Sequence, residues 1–342
     1  MEATLRTEVV LPGVVPPEGL QLRTSQVPAP GAGQVMIRME ATGVCFADQH
    51  MRRGRYYDQP PFPFVPGYDL VGTVTAGGPG TDPALVGERV AALTKVGGWA
   101  SHVLVEAADV VAVPAGLDPA KAETVVLNGI TAWQMLHRKA HVKSGQTILV
   151  HGASGGVGTI LVQLARLAGA RVIGTASPRN HGMLRDLGVI PVDYHADVPA
   201  AVREIAPGGV DAVFDHLGIS SLPGSWRLLA PGGTLVAYGT ASNLNDTGSK
   251  QVPVLKVLAR ILAWNTLPNG RHACFYSVLA GQGRDRQRFR AWLRDDLAQV
   301  LQAMADGHVT AKIAARYPLA QAADAVRLAE SGTIYGKVIL TP

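Results

Sequence analysis

The stretch Thr147-Ile148-Leu149-Val150-His151-Gly152-Ala153-Ser154-Gly155-Gly156-Val157-Gly158 sets an apolar, strand-like run directly ahead of a turn of small residues. A helical run, Val157 to Ala168, starts immediately behind it. Small residues let backbone approach a pyrophosphate closely, and the free N–H groups and dipole of a helix start stabilise its charge. The spacing matches the dinucleotide fingerprint with Ala153 in place of the first glycine. A glycine-rich hexad alone also suits a purely structural tight turn. Here the strand before it and the helix after it favour a nucleotide site built on Ser154, Gly155, Gly156 and Val157.

Enzymes that use NAD carry Asp or Glu about 20 residues further on, at the end of the next strand, for the ribose 2′-hydroxyl. That region here reads Gly174-Thr175-Ala176-Ser177-Pro178-Arg179-Asn180-His181, without a carboxylate. Ser177 donates a hydrogen bond and Arg179 pairs with a phosphate. Tyr194, after the third strand, adds a hydroxyl. NADPH is therefore expected. The bland alternative for Arg179 is an exposed charge at a helix entry.

The elements that must hold this turn follow a clear order. From residue 35 to about 113, short strands (Val35 to Met39, Val71 to Thr75, Arg89 to Leu93, Ser101 to Val105, Val110 to Val113) alternate with Gly/Pro turns, the mark of a β-rich unit. Beyond Ala120 the pattern becomes strand–helix alternation, with strands at 147–151, 171–175, 190–192, 210–215 and 234–238. Such alternation predicts a doubly wound parallel sheet. A strand is expected from Ala273 to Leu279. An apolar stripe from Phe289 to Met304 predicts a long helix, and Lys337 to Leu340 a last strand. The expected division is residues 1–124, 125–280 and 281–342, the last returning to the first unit.

Composition sets the outer limits. At 342 residues, 47% hydrophobic and 17% charged, the chain is too apolar to be disordered. Net charge is +5, and the densest basic cluster (Arg284, Arg286, Arg288, Arg290, Arg294) is interleaved with Asp285, Asp295 and Asp296. That reads as a solvated helix face and gives no nucleic-acid patch. Two cysteines, Cys45 and Cys274, allow no disulfide framework and no four-cysteine zinc knuckle. No apolar run reaches the ~20 residues of a membrane span. The N-terminus lacks the apolar core of a signal peptide. A cytoplasmic protein with no membrane partner is the expectation.

Gly43-Val44-Cys45-Phe46-Ala47-Asp48, Arg52-Arg53-Gly54, Pro63-Phe64-Val65-Pro66-Gly67-Tyr68-Asp69, Asn128-Gly129-Ile130-Thr131-Ala132, the glycine-rich turn and Gly336-Lys337-Val338 together resemble signatures of the medium-chain dehydrogenase/reductase superfamily. The nearest branch is the zinc-independent quinone oxidoreductase, or zeta-crystallin-like, one, including relatives of the vesicle amine transport protein. The resemblance covers nearly the whole chain. It implies an α/β fold: a Rossmann-type doubly wound parallel sheet plus a β-rich GroES-like domain, with the cofactor between them. It also implies a homodimer joined at the strand Ala273 to Leu279. By the same resemblance Asn128 and Thr131 lie near the nicotinamide. Leu217, Gly239 and Thr240 follow strands ending at the cofactor, and Phe275, Tyr276 and Ser277 offer backbone to the carboxamide. Each alone also reads as a turn or core residue.

Zinc-dependent members need three protein ligands. Cys45 stands at the first ligand position, Tyr68 replaces the histidine of the second, and Asn128, near the third, is a poor donor. No metal is expected. Cys45 departs from the branch's usual Asn, and reads as a buried thiol or a pocket residue. Without a metal, hydride transfer to a quinone or conjugated enone is favoured over a simple ketone, because charge spreads onto oxygen and a donor there stabilises it. Tyr56 resembles the branch's pocket tyrosine, against the alternative of a loop aromatic packed on Pro60 and Pro61. His50 sits where relatives carry Tyr, and offers a proton donor of near-neutral pKa or a packing histidine. Solvent is the other proton source. Two further functional readings stand: an NADPH-binding protein of this fold with a structural or interaction role, and a dedicated biosynthetic reductase with altered chemistry.

Overall fold

The computed structural model describes residues 4–241, 248–283 and 285–342. The chain divides into two compact units, Met1–Ile130 with Gly281–Pro342, and Thr131–Ala280.

The first unit opens with strands β1 (Thr4–Val10) and β2 (Gln21–Val27), an antiparallel pair. β3 (Gln34–Val44) leads into a short helix, α1 (Phe46–Arg52). Strands β4 (Asp69–Gly77), β5 (Arg89–Leu93), β6 (His102–Glu106) and β7 (Val110–Ala112) follow. Helix α2 (Pro119–Trp133) closes this segment and runs across the division at Ile130.

The second unit holds strands and helices in alternation: β8 (Thr147–Val150), α3 (Gly156–Leu167), β9 (Arg171–Ala176), α4 (His181–Asp186), β10 (Ile190–Asp193), α5 (Val198–Ile205), β11 (Val210–Asp215), α6 (Leu222–Leu228), β12 (Leu229–Ala237), α7 (Val252–Asn265) and β13 (His272–Phe275). The chain then returns to the first unit with α8 (Arg286–Ala305), β14 (Ile313–Pro318), α9 (Ala322–Glu330) and β15 (Lys337–Thr341).

In the second unit the six strands are parallel, in the order β10-β9-β8-β11-β12-β13. Strands buried on both faces must be apolar throughout, and Ile148, Leu149 and Val150 are fully covered. The order reverses between β8 and β11, which opens a crevice beyond their carboxyl ends. The core below is Leu149, Ile173, Val213, Leu235, Trp226 and their neighbours. This is the Rossmann-type sheet that the alternation predicts.

In the first unit β14-β15-β3-β4-β5-β7 form one sheet, with β6 on β3, around Val35, Ile37, Met39, Leu70, Val74, Trp99 and Leu340. It is the β-rich unit expected. Among its buried ionisable side chains, Lys337, Asp69 and Glu123 form one cluster. Lys337 Nζ lies 2.9 Å from Asp69 and 2.7 Å from Glu123. They tie β15 to β4 and α2, and Gly43 leaves them room: a Cβ there would stand 2.2 Å from Lys337 Cε. Burial and the Asp69 charge push the Glu123 carboxyl well above its usual range.

Some elements differ from expectation. The strand expected from Ala273 to Leu279 runs instead from His272 to Phe275. β1, β2, α1 and β14 have no clear period in the sequence. The Asn243 to Lys250 loop lies largely outside the described residues, as does Arg284. The remaining arginines behave as a helix face: Arg290 pairs with Asp109 at 2.6 Å and Arg288 lies over the Trp292 ring.

Candidate active site

The second unit gathers its candidates at the carboxyl ends of the parallel strands. Ser154 to Val157 follow β8, Ser177 and Arg179 follow β9, and Tyr194 follows β10. Leu217 follows β11, Gly239 and Thr240 follow β12, and Phe275 and Ser277 stand at the end of β13. The turn itself needs glycine. Gly152 has φ +64°. A Cβ on Gly158 would come 2.2 Å from the Gly152 carbonyl oxygen. Helix α3 follows Gly155 at its N-cap with no side-chain cap, so its first amides have no competing side chain. Those features fit a pyrophosphate.

Asn180, absent from the sequence-based candidates, links two parts of this edge. Its Nδ2 donates to Ser154 Oγ at 3.0 Å and to Ser177 Oγ at 3.4 Å. The glycine-rich turn is thereby held to the end of β9. Arg179 lies between, on the exposed turn Pro178–Asn180. Tyr194 is exposed and its ring packs on His195 at 3.9 Å. Asp193, the carboxylate closing β10, accepts the amide of His195 in its own loop.

Beneath the turn runs a buried relay that the sequence reading missed. Asp215 accepts from Ser225 Oγ (2.7 Å), Ser221 Oγ (2.8 Å) and the Leu217 amide (2.9 Å). Because the Ser225 proton points to Asp215, His151 Nε2 must donate to Ser225 at 3.1 Å. Its Nδ1 then accepts from Thr175, whose Oγ1 also takes the Gly152 amide at 3.0 Å. Burial pushes the His151 pKa down, against the pull of Asp215. The ring is a neutral strut from the sheet to the turn.

On α2, Asn128 and Thr131 are both buried, and Asn128 Nδ2 donates to the Thr124 carbonyl at 3.3 Å. Phe275 closes β13, and the hydroxyl of Tyr276 donates to Gln134 at 3.0 Å.

The first unit holds the other candidates. Cys45 caps α1, accepting from the Asp48 amide at 3.4 Å while Asp48 accepts the Cys45 amide at 2.9 Å. The second Asp48 oxygen takes the Gly67 amide at 3.1 Å. Burial raises the Asp48 carboxyl to about 6, despite these donors. Burial also raises the Cys45 thiol well above its ordinary value, so it is not a thiolate. Tyr56 packs on Tyr57 and its hydroxyl lies 3.0 Å from that of Tyr68. Burial holds both phenols above their ordinary pKa, which keeps them neutral hydrogen-bond donors.

The near-neutral pKa expected of His50 does not hold. Its ring is buried against Phe46. Burial first, then the charges of Arg53 and Arg55, push it down to about 4. Its Nε2 has no hydrogen-bond partner among the described residues. At neutral pH it holds no imidazolium to give up.

Zinc does not fit the first unit. The Cys45 sulfur serves as a cap, the Tyr68 hydroxyl is engaged with Tyr56, and the Asn128 amide is turned to its own helix. Among the described residues no three His, Cys, Asp or Glu side chains gather as a metal site would require.

Relatives carry the same architecture. Residues 31–115 match the alcohol dehydrogenase GroES-like domain and residues 187–340 the zinc-binding dehydrogenase family. The chain is 35% identical over 333 residues to the synaptic vesicle membrane protein VAT-1 homolog of Rattus norvegicus, covering 94% of this chain and 80% of that protein. A mycobacterial quinone oxidoreductase structure superposes with TM-score 0.82 at 31% identity, covering 98% of this chain and all of the other. A mycobacterial structure complexed with NADPH superposes equally well, TM-score 0.82, at 30% identity over 98% of this chain and 100% of that one. With two units of the matching kind in the matching order, this chain belongs to the medium-chain dehydrogenase/reductase superfamily of oxidoreductases, in its zinc-independent, quinone-oxidoreductase-like branch.

Proposed function

We propose that the protein is an NADPH-dependent reductase that works without a metal and transfers hydride to a quinone or to the conjugated C=C of an enone. The carrying observation is the Ser154–Asn180–Ser177 link. It sets the pyrophosphate turn beside the end of β9, where Arg179 stands and no carboxylate does. NADPH supplies the hydride when bound. The α3 amides and Ser154 hold its pyrophosphate, and Ser177 and Arg179 take the 2′-phosphate, with Tyr194 alongside. Asn128, Thr131, Leu217, Gly239, Thr240, Phe275 and Ser277 line the nicotinamide half.

Tyr56 donates a hydrogen bond to the oxygen on which charge develops. A neutral phenol stabilises an enolate or hydroquinone anion without surrendering its proton, so solvent supplies the proton. His50, neutral and buried, shapes the same loop. Two copies of the chain pair through the open edge of β13 as a homodimer; a monomer in sedimentation would overturn that part.

Fluorescence titration tests the cofactor: NADPH should bind at least about tenfold more tightly than NADH, the scale of one charge-assisted contact. Steady NADPH oxidation with 9,10-phenanthrenequinone or an enone then tests the reaction. A second reading, an NADPH-binding protein whose task is interaction, is favoured by the exposed apolar side chains Leu255, Leu258 and Leu262 on one face of α7. Tight NADPH binding with no turnover across a broad substrate panel would select it.

A further inference from the structure

Positive charge is shared unevenly along the chain. Thr131–Ala280 carries 13 Lys and Arg against 7 Asp and Glu, whereas Met1–Ile130 with Gly281–Pro342 carries 18 against 19. Much of the excess lies at one edge of the second unit. Its six strands are parallel, so all start at the same edge, and each is entered past a cation. Lys143 precedes β8, Arg171 opens β9, and Arg185, Arg203, Arg227 and Arg271 precede β10, β11, β12 and β13. Arg166 joins them from the last turn of α3. Arg271 is half-buried and the others are exposed. The connections that carry them touch. The Gly145 amide donates to the Gly169 carbonyl at 3.0 Å, and the Arg171 amide to the Gln146 carbonyl at 2.8 Å. The Arg171 guanidinium donates to the Ile205 carbonyl at 3.2 Å, and that of Arg271 to the Trp226 carbonyl at 3.4 Å. A Cβ on Gly188 would stand 3.0 Å from Arg166 Nε.

These bonds end on carbonyls, so the cations keep their charge, and among the described residues none of them pairs with a carboxylate. The acids of this edge are Asp186, Glu204 and Asp211, and Asp211 accepts the Thr147 amide at 2.8 Å. A cation in a helix's last turn complements the helix dipole, which accounts for Arg166, Arg185, Arg203 and Arg227. Lys143, Arg171 and Arg271 stand outside any helix and have no such reason. Beside them Leu167 and Leu267, in the connections into β9 and β13, are 53% and 47% exposed. We propose that this edge docks on an anionic lipid surface. Six strands about 4.8 Å apart make a row roughly 24 Å wide. Mobile headgroups meet cations anywhere along such a row, and exposed leucines enter the acyl boundary below them. A nucleic acid would leave those leucines in water. Docking of this kind needs no spanning helix, and no helix among the described residues is long and apolar enough to be one. The glycine-rich turn lies at the opposite ends of the same strands, so docking leaves it open and does not depend on the reductase reading.

Sedimentation of the full chain with vesicles tests this. Vesicles of phosphatidylcholine with roughly 30% phosphatidylserine should carry the protein down at low salt, and about 0.5 M salt should release it. Vesicles of phosphatidylcholine alone should not bind it. One surface cation is worth about fivefold, so the triple variant Lys143→Gln, Arg185→Gln, Arg203→Gln should bind about 100-fold more weakly with an unchanged circular dichroism spectrum. Leu167→Ser should weaken binding about threefold and leave its salt dependence as it was. No sedimentation with anionic vesicles, equal sedimentation with neutral ones, or undiminished binding by the triple variant overturns the docking. Retention on poly-glutamate or duplex DNA that the triple variant loses, without vesicle binding, also overturns it and gives the edge to an acidic macromolecule.

Discussion

The glycine-rich turn of the second unit and the phenol cluster of the first are made from different parts of the chain. The turn offers backbone amides at the start of α3, shaped by glycines whose missing Cβ atoms are filled by neighbouring backbone. The phenol cluster offers side chains from Cys45 to Tyr68, set on a rigid sheet and a loop. A backbone site tolerates many side-chain exchanges and fails on a single added methyl. A side-chain site does the reverse, losing function when one hydroxyl is removed while the fold persists. Each also rests on a buried polar frame: Lys337, Asp69 and Glu123 under the phenols, and Asp215, Ser225, His151 and Thr175 under the turn.

The largest effect should come from the charged frame. Lys337→Met leaves two carboxylates buried without their cation, and breaking such a cluster costs about 3–5 kcal/mol. Urea unfolding should show this loss in the transition that reports the first unit. A loss below about 1 kcal/mol would mean that the carboxylates simply share a proton without the lysine. Next is Gly158→Ala. Its methyl would meet the backbone of Gly152 and Ala153. NADPH affinity should fall roughly 100-fold, about 2.7 kcal/mol, with little change in unfolding. If the affinity survives, the turn does not carry the pyrophosphate.

Arg179→Ala separates the two coenzymes. A charge-assisted hydrogen bond is worth about 1.5–3 kcal/mol, so NADPH should weaken roughly 10- to 100-fold and NADH less than about twofold. Equal losses in parallel titrations would remove Arg179 from the 2′-phosphate.

His50 and Asp48 bear on pH from opposite sides. His50 titrates near 4 in the folded chain against about 6.5 unfolded. Its contribution is therefore complete above pH 6.5 and is lost as pH falls toward 4. Asp48, raised to about 6 from 3.8, works the other way: ionised and buried it costs stability above pH 6, and that cost is relieved as pH falls. The two largely offset each other between pH 6 and 4. His50→Phe removes the first and leaves the second. The variant should gain about 1–2 kcal/mol on the wild type between pH 7 and pH 5, read as a difference in thermal midpoints. Parallel pH curves for the two proteins would place His50 in a wetter setting.

What the sequence made readable follows from the same division. The strand β8 and the glycine run are contiguous, so their pattern is local, and α5 begins where Asp197 caps it and Pro199 sets its first turn. The strand–helix alternation, and with it the doubly wound parallel sheet, followed from such pieces; the strand order did not. β1 and β2 were not readable, since β2 leaves most of its side chains exposed and alternates nothing. α1 is two turns long and capped by a cysteine, a residue with no capping signature. The Tyr56–Tyr68 bond depends on how a loop folds back on β4, which no spacing encodes. The low His50 pKa depends on burial in the same way. The relay from Asp215 to Gly152 joins residues from three strand ends and helix α6, each of which looks ordinary alone.

The smallest effect expected is at Asn180, and it asks whether the backbone site also needs a side chain. Its amide donates to Ser154 and Ser177 at 3.0 and 3.4 Å. A neutral hydrogen bond contributes about 1 kcal/mol net. Asn180→Ala should therefore weaken NADPH about fivefold. NADH should weaken by nearly the same factor, because in the proposed binding mode Ser154 serves the pyrophosphate that both share. This parallel loss contrasts with the selective loss at Arg179. A loss confined to NADPH would mean that Asn180 acts through Ser177 alone, and that the turn stands on its glycines without help from the end of β9.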